Sequence, residues 1–317
     1  MNNSHYPAAV AIGHLCADTI CILDGFPQEN TSIHIREVDN QSGGAASQAI
    51  VAFSRLGGKA GYIGVLGRDP AGEYVLSEIN KENVDTSCVQ WAEGSSAFSF
   101  VFVNSTNASR TLFNYHEHVP PISFDMKLED YLAHATYLHL DGTMYENAFR
   151  TATIAKKHRV LVSLDGCSMQ KDNKLNLDLA KMADILIMNE FYPCRLMEDD
   201  NRERALLEIA KFGAQIVIST LGEEGCLLVD HGVVKKYPAF HITPVDTTGA
   251  GDVFHGGFLR ALDLGYDLDN SIRFASAVSA INCLSIGGRK GIPTLRETHA
   301  FINKYNFYPK NRSTDCQ

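Results

Sequence analysis

The sequence predicts an α/β protein of three layers, helices covering both faces of a mainly parallel central sheet, with a small β-sheet set over it as a lid. Two observations carry that reading. From about residue 130, short apolar runs (Tyr137–Leu140, Val160–Leu164, Ile185–Met188, Ile216–Thr220, Leu227–Val229) alternate with helical stretches such as Asn147–His158 and Arg202–Phe212, the rhythm of parallel strands joined by crossover helices. Nearer the start, two hairpin-like patches interrupt any such alternation. A chain of 317 residues, 45% apolar and 21% charged, is long enough for one large core.

In order along the chain, Ala8–Gly13 reads as a buried first strand followed by a loop to Asp18. A carboxylate just past the end of a central strand faces the ligand crevice of an open α/β sheet; a loop cap is the alternative reading of Asp18. Thr19–Asp24 and Ser32–Val38 read as strands around the turn Asp24-Gly25-Phe26-Pro27, and Ala97–Val103 and Arg110–Tyr115 as a second pair joined by Asn104–Ser109. These are the lid strands, inserted at about 19–40 and 97–115. Between them, Ser42-Gly43-Gly44-Ala45-Ala46-Ser47 opens a helical run through Ile50, Val51, Phe53 and Leu56, and its small residues permit a ligand to come close. Tyr62–Leu66 reads as a strand leading to a turn at Gly67-Arg68-Asp69, and Ser271–Leu284 as a helix with Ile272, Ala275, Ala280 and Ile281 at packing intervals. The domain is expected to span 1–302, and Asn303–Gln317, which loses periodicity, to form a loose tail.

Composition narrows the partners. A net charge of −9 without a basic stripe argues against nucleic acid. The eight cysteines contain no Cys-x-x-Cys pair, which suits reduced thiols rather than a disulfide framework or zinc site. There is no basic leader, the apolar run Ala8–Ile12 is too short for a signal segment, and nothing approaches a membrane span, so a cytoplasmic protein is expected.

The chemistry concentrates at Val245-Asp246-Thr247-Thr248-Gly249-Ala250-Gly251-Asp252. β-formers behind Pro244 lead through small residues into an apolar helical run, so a strand-to-helix junction is expected, with free N–H groups at a positive helix end. A carboxylate there would repel a bound anion. It makes sense if Asp252 takes a proton from a hydroxyl while the amides hold phosphoryl charge; a capped helix start is the plain alternative. His255 reads as packing or solvent-facing, since its own helix offers no other titratable partner.

This string resembles the signature of the ribokinase-like (PfkB) carbohydrate kinases, and the resemblance runs over about residues 8–300. It implies a ribokinase-like fold and transfer of the ATP γ-phosphoryl group to a sugar hydroxyl with Mg²⁺, with Asp252 as base and Gly249, Ala250 and Gly251 as the anion hole. It implies sugar contacts from Asp18, Gly43, Gly44, Ser47 and Asn114, with Arg110 a weaker candidate. Two departures stand in the N-terminal glycine motif: many members have Gly where Ser42 stands and a sugar-binding Asn where Ser47 stands. For the nucleotide, the resemblance implies Asn189 of an Asn-x-x-Glu motif, whose Glu position holds Tyr192 here. Glu190 is then the substitute, reaching Mg²⁺ through water. Thr220-Leu221-Gly222-Glu223-Glu224-Gly225 matches the family's ATP-holding turn, and Ile286–Pro293, containing Gly288, matches the loop that borders adenine and with Asp246 can cage K⁺. The pairing of Arg273–Ser276 with Gly287–Pro293 is most like ketohexokinase-like and sulfofructose-kinase-like members.

Other phosphoryl-transfer frameworks fail by inspection, since there is no Gly-x-x-x-x-Gly-Lys-Ser/Thr, His-Arg-Asp or Asp-Phe-Gly. The expected substrate is a ketose or other furanose sugar. A nucleoside kinase, with Phe98, Phe100, Phe102 and Phe113 forming a base pocket, and a non-catalytic sugar sensor are the alternatives. A homodimer through the lid is a further expectation of the resemblance.

Overall fold

The computed structural model describes residues 6–107, 109–116 and 118–305. In chain order the strands are β1 (Ala9–Ile12), β2 (Cys16–Leu23), β3 (Glu37–Gly43), β4 (Ala60–Gly67), β5 (Val84–Ala92), β6 (Ala97–Asn104) and β7 (Arg110–Tyr115). They continue with β8 (Tyr137–Leu140), β9 (Leu161–Gly166), β10 (Ile185–Met188), β11 (Ile216–Thr220), β12 (Cys226–Asp230) and β13 (Val233–Tyr237). Nine of them form one sheet in the order β13-β12-β11-β10-β9-β8-β1-β4-β5, parallel except for the last two strands of the chain at one edge. The other four form the lid in the order β3-β2-β6-β7.

Alternation along each strand feeds two cores. On β1, Ala9 and Ala11 join Phe53, Phe258 and Phe274 on one face, while Val10 and Ile12 join Leu132, Leu138 and Leu164 on the other. Helices Ala45–Arg55, Pro70–Lys81, Ala250–Asp263 and Leu268–Asn282 cover the first face; Met126–Ala133, Tyr145–Lys157, Asn173–Met182 and Arg202–Ala210 cover the second. This is the three-layer arrangement with a separate lid that the sequence predicts. No helix among the described residues is long and apolar enough to cross a membrane.

The chain passes from β1 to β4 on one side and returns to β8 on the other, so a crevice opens beyond the ends of β1 and β8. Asp141 sits there, 1% exposed, and its Oδ2 accepts the amides of His14 (2.7 Å) and Ala46 (3.2 Å).

Three expectations shift. The second lid strand is Glu37–Gly43, not Ser32–Val38: its polar residues pair with β2 in register from Cys16↔Gly43 to Ile22↔Glu37, and pairing outweighs propensity. Ser42 and Gly43 therefore end a strand rather than open a helix. Helix Leu295–Lys304, fixed by a Thr294–Glu297 capping box, runs into the expected tail; positions 306–317 lie outside the described residues.

Candidate active site

Helix Ala250–Asp263 starts from Gly249, whose backbone is left-handed (φ 71) and so close to its neighbour that a Cβ would lie 2.9 Å from Gly288 Cα. Only glycine fits there. Residues 238–249 form no strand, contrary to the junction expected; the Val245 and Asp246 amides instead donate to the Cys283 carbonyl (2.8 and 3.2 Å) beside the end of helix Leu268–Asn282. The Ala250 amide donates to Thr247 O (3.2 Å), and Val253 is the first to donate to Gly249 O (2.9 Å). The Gly251 and Asp252 amides stand between them, at the positive helix end. A Cβ on Gly251 would meet no protein atom within 4 Å, so the space in front of it is open.

That loop is a partition between two cavities. One, of about 570 Å³, lies under the lid and is walled by Asp18, Gly44, Ser99, Arg110, Asn114 and Thr248 among others. The second, of about 300 Å³, is walled by Thr220, Gly222, Gly225, Thr247, Ala250 and Gly251 among others. Adjacent residues Thr247 and Thr248 thus face different cavities.

Asp18, Gly44 and Asn114 face the lid cavity as expected. The Asp18 carboxylate accepts from Ser99 Oγ (2.8 Å) and Cys16 Sγ (3.1 Å), and Gly43 makes room for it, since a Cβ there would lie 1.9 Å from Asp18 Oδ2. Ser47 departs from its expected place. It is fully buried, donates to Gly43 O (2.7 Å), accepts from Arg289 Nη2 (3.0 Å), and is absent from the cavity wall.

Thr220, Gly222 and Gly225 line the second cavity, and Gly225 (φ 96) leaves no room for a side chain, a Cβ there falling 1.9 Å from Tyr237 O. Gly288 abuts Gly249 rather than lining this cavity. Asn189 and Glu190 also stand apart from it: Asn189 Oδ1 accepts the Phe191 and Tyr192 amides (both 3.0 Å), and Glu190 pairs with Arg202 at 3.8 Å. Neither lines the second cavity, and among the described residues no group of three or more His, Cys, Asp and Glu side chains stands together as a metal site.

Asp246 is tied up as well. Its Oδ1 accepts the Thr248 amide (2.9 Å) and hydroxyl (2.6 Å), its Oδ2 accepts the Gly287 amide (2.9 Å), and the Arg110 guanidinium stands 3.8 Å away. Burial raises this carboxyl, but the Thr248 hydroxyl and the two amides outweigh it and hold it below the usual value. Both oxygens of Asp246 are thus engaged by the protein, with a guanidinium beside Oδ1, and this arrangement lends the K⁺ expectation no support.

Several features escaped the sequence reading. Arg110, on lid strand β7, crosses to the signature loop and donates to Thr248 Oγ1. Ser276, Ser279 and Cys283 line the second cavity at helical spacing, a stripe of small residues visible in the sequence. His255 does find a titratable partner, from a different element: it is 3% exposed and its Nε2 lies 3.2 Å from Oδ1 of Asp165 at the end of β9. Burial, and then the negative charge of Asp165, push the Asp252 carboxyl up to about 7; His255 opposes this and Asp141 adds to it. A group half ionised near neutrality can accept a proton from a hydroxyl. The lid phenylalanines do not supply a base pocket. Phe98, Phe100, Phe102 and Phe113 alternate with the cavity-facing Ser99, Val101 and Leu112, and they cluster on the other face, Phe102 meeting Phe113 at 5.6 Å.

The chain is similar to known kinases over nearly its whole length. The chain is 26% identical to a ribokinase of Haemophilus influenzae over 300 residues, covering 92% of this chain and 97% of the relative. It is 28% identical to a nucleoside kinase of Methanothermobacter thermautotrophicus over 304 residues, covering 95% and 97%. Among solved structures, the ribokinase of Arabidopsis thaliana complexed with ribose and ATP superposes with a TM-score of 0.82 at 21% identity, covering 93% of this chain and 98% of that one. A family model described as pfkB family carbohydrate kinase matches residues 7–295, and the chain belongs to that family.

Proposed function

We propose that this enzyme transfers the γ-phosphoryl group of ATP to a hydroxyl of a small carbohydrate, a ketose or other furanose sugar, with Asp252 as general base. The observation that carries the reading is the partition. The signature loop stands between two cavities, Thr248 lining one and Ala250 and Gly251 the other, and the next residue, Asp252, has its carboxyl pushed up to about 7 beside the amides at the helix start. The sugar sits under the lid against Asp18, Asn114 and Gly44, with Gly43 giving the Asp18 carboxylate its room. The nucleotide sits against Thr220, Gly222 and Gly225. As the sugar oxygen bonds to the γ-phosphorus, the bond from that phosphorus to the β,γ-bridging oxygen breaks, ADP leaves with the electron pair, and the hydroxyl proton passes to Asp252.

Phosphoryl transfer depends chiefly on positioning and charge neutralisation. The Gly251 and Asp252 amides meet the phosphoryl oxygens, and Arg110 holds the lid to the loop while placing a guanidinium at the boundary, which also excludes water. Mg²⁺ bound with ATP would supply further neutralisation of the phosphate charge. No step is routed through K⁺.

A nucleoside substrate is disfavoured, because the aromatic residues that would stack on a base face away from the lid cavity. A sensor without activity is disfavoured by the intact base and amides. That same outward aromatic face, where Phe100 and Phe113 are 43% and 52% exposed, fits a second copy of the lid and supports a homodimer. ATP consumption measured across ketoses, aldoses, sugar phosphates and nucleosides tests the reading. Turnover with a free sugar is expected, and turnover confined to nucleosides, or ATP binding with no turnover on any candidate, overturns it.

A further inference from the structure

Behind Asp252 lies a buried set of titratable groups that the transfer, as described above, does not use. His255 follows Asp252 by three residues and shares its helix face. Its Nε2 meets Asp165 Oδ1 at 3.2 Å, with both residues 3% exposed. Cys167 Sγ donates to the other Asp165 oxygen (3.1 Å). On the far side His139, from β8, lies 5.1 Å from His255 between ring centroids, with its Nδ1 3.2 Å from Ser163 Oγ. The buried His255 Nδ1 and His139 Nε2 have no hydrogen-bond partner.

Such an arrangement is a poor way to hold a fold together. Apolar side chains of similar volume would pack at least as well, and unpaired buried nitrogens are costly. Its position suggests a different use. The groups whose charge reaches Asp252 are Asp165 at the end of β9, Asp141 beyond β8 and His255 on its own helix. Cys167 lies close enough to feel the charge of both Asp165 and Asp252, and Tyr192 that of Asp165 and Cys167, but burial pushes both groups up and keeps them neutral. Burial, then the charge of His255, holds His139 down at about 3, so it too is neutral. Of the three groups whose charge reaches Asp252, Asp141 is held by the His14 and Ala46 amides, whereas Asp165 and His255 pair with each other. Burial raises the Asp165 carboxyl, yet the charge and hydrogen bond of His255 outweigh it and keep it ionised.

We propose that the Asp165–His255 pair acts as a positioning pair for Asp252, setting the local charge against which the base takes its proton. This rests on Asp252 being the base. The two members act in opposite senses: Asp165 makes Asp252 hold a proton more tightly, and His255 restrains that effect.

The test is the pH dependence of kcat between about pH 5 and 9, where the acidic limb reports ionisation of the base in the substrate complex. Asp165→Asn is expected to move that limb down by about one unit, and His255→Gln to move it up by a smaller amount. The double variant Asp165→Asn/His255→Gln, an amide pair that can still hydrogen-bond, is expected to lie below the wild type because the Asp165 effect is the larger. A structural role would lower activity or melting temperature without moving the limb in opposite directions. Limbs that stay in place, or move together, overturn the proposal; if either single variant fails to fold, an unmoved limb in the double variant does so. Asp252→Asn is run alongside. If it retains near-normal turnover, the general-base reading has failed; if it abolishes turnover while the pair variants leave the limb in place, only the positioning role has failed.

Discussion

Replacing Asp252 by asparagine should make the protein more stable while disabling it, and the size of the gain follows from the site. The carboxyl moves from 3.8 to about 7 because it is buried beside Asp165. A folded-state value above the unfolded one means that folding favours the protonated acid. The stability so gained is fully present below the unfolded value and is lost as pH rises through the folded one. A displacement of roughly 3 units corresponds to about 4 kcal/mol at pH values above both. Asp252 is only part-buried, and screening by water reduces the figure to about 2 kcal/mol. Asparagine carries no charge at any pH, so the variant escapes the loss. Urea denaturation at about pH 4 should give the two proteins similar midpoints, whereas at about pH 8 the variant should unfold at higher urea with an unchanged slope. Turnover should fall by about 100-fold or more, with nucleotide binding retained. A variant no more stable than the wild type at the higher pH would refute the claim that the site strains its own base.

Two glycines of the signature should respond differently to alanine. Gly249→Ala must adopt a positive φ against the Gly288 backbone and should cost about 1–3 kcal/mol in unfolding free energy, whereas Gly251→Ala meets no protein atom and should leave stability unchanged while weakening phosphoryl transfer. Parallel thermal melts and steady-state kinetics would separate them. Arg110→Ala removes the lid's contact with Thr248 and Asp246 and should lower kcat at least about 10-fold, with a rise in ATP hydrolysis relative to sugar phosphorylation as water enters. A coupled assay with and without sugar reads both. Asp18→Ala should raise the KM for sugar by about 10-fold or more and leave the KM for ATP nearly unchanged, since Asp18 faces only the lid cavity. Dependence on K⁺ should be weak, and an activity that vanished when Na⁺ replaced K⁺ would contradict the placement of Arg110 at Asp246.

Much of the fold was legible because its signals are local. The runs Tyr137–Leu140, Ile185–Met188 and Ile216–Thr220 are strands over those same residues, each apolar because both sheet faces are covered. The lid strand Glu37–Gly43 was misplaced because its residues carry little β-propensity, and what makes it a strand is its partner β2. Helix Pro70–Lys81 and strand β5 went unread between the glycine motif and the lid, although Asp69, taken only as a turn residue, caps that helix by accepting from the Gly72 amide at 2.7 Å. The signature loop announced its chemistry but not its support, since the segment before it leans on the end of a helix rather than joining the sheet.

The same division runs through the site. Residues whose role depends on backbone shape could be read directly: Gly44, Gly225 and Gly249 stand where a side chain would strike a neighbouring backbone. Residues whose role depends on which way a side chain turns could not. Ser47 and Asn114 have equally suitable chemistry, but Ser47 is on the buried face of helix Ala45–Arg55 against Arg289 while Asn114 opens onto the cavity. Least visible was the surrounding of Asp252. Its helix holds one of the partners, His255; the others, Asp141 and Asp165, come from the ends of two strands far earlier in the chain. A parallel sheet collects strand ends at one edge whatever their distance in sequence. The candidate base is therefore named by eight consecutive residues, but its proton affinity is set by its burial and by charges gathered from its own helix and from the sheet edge, His255, Asp165 and Asp141.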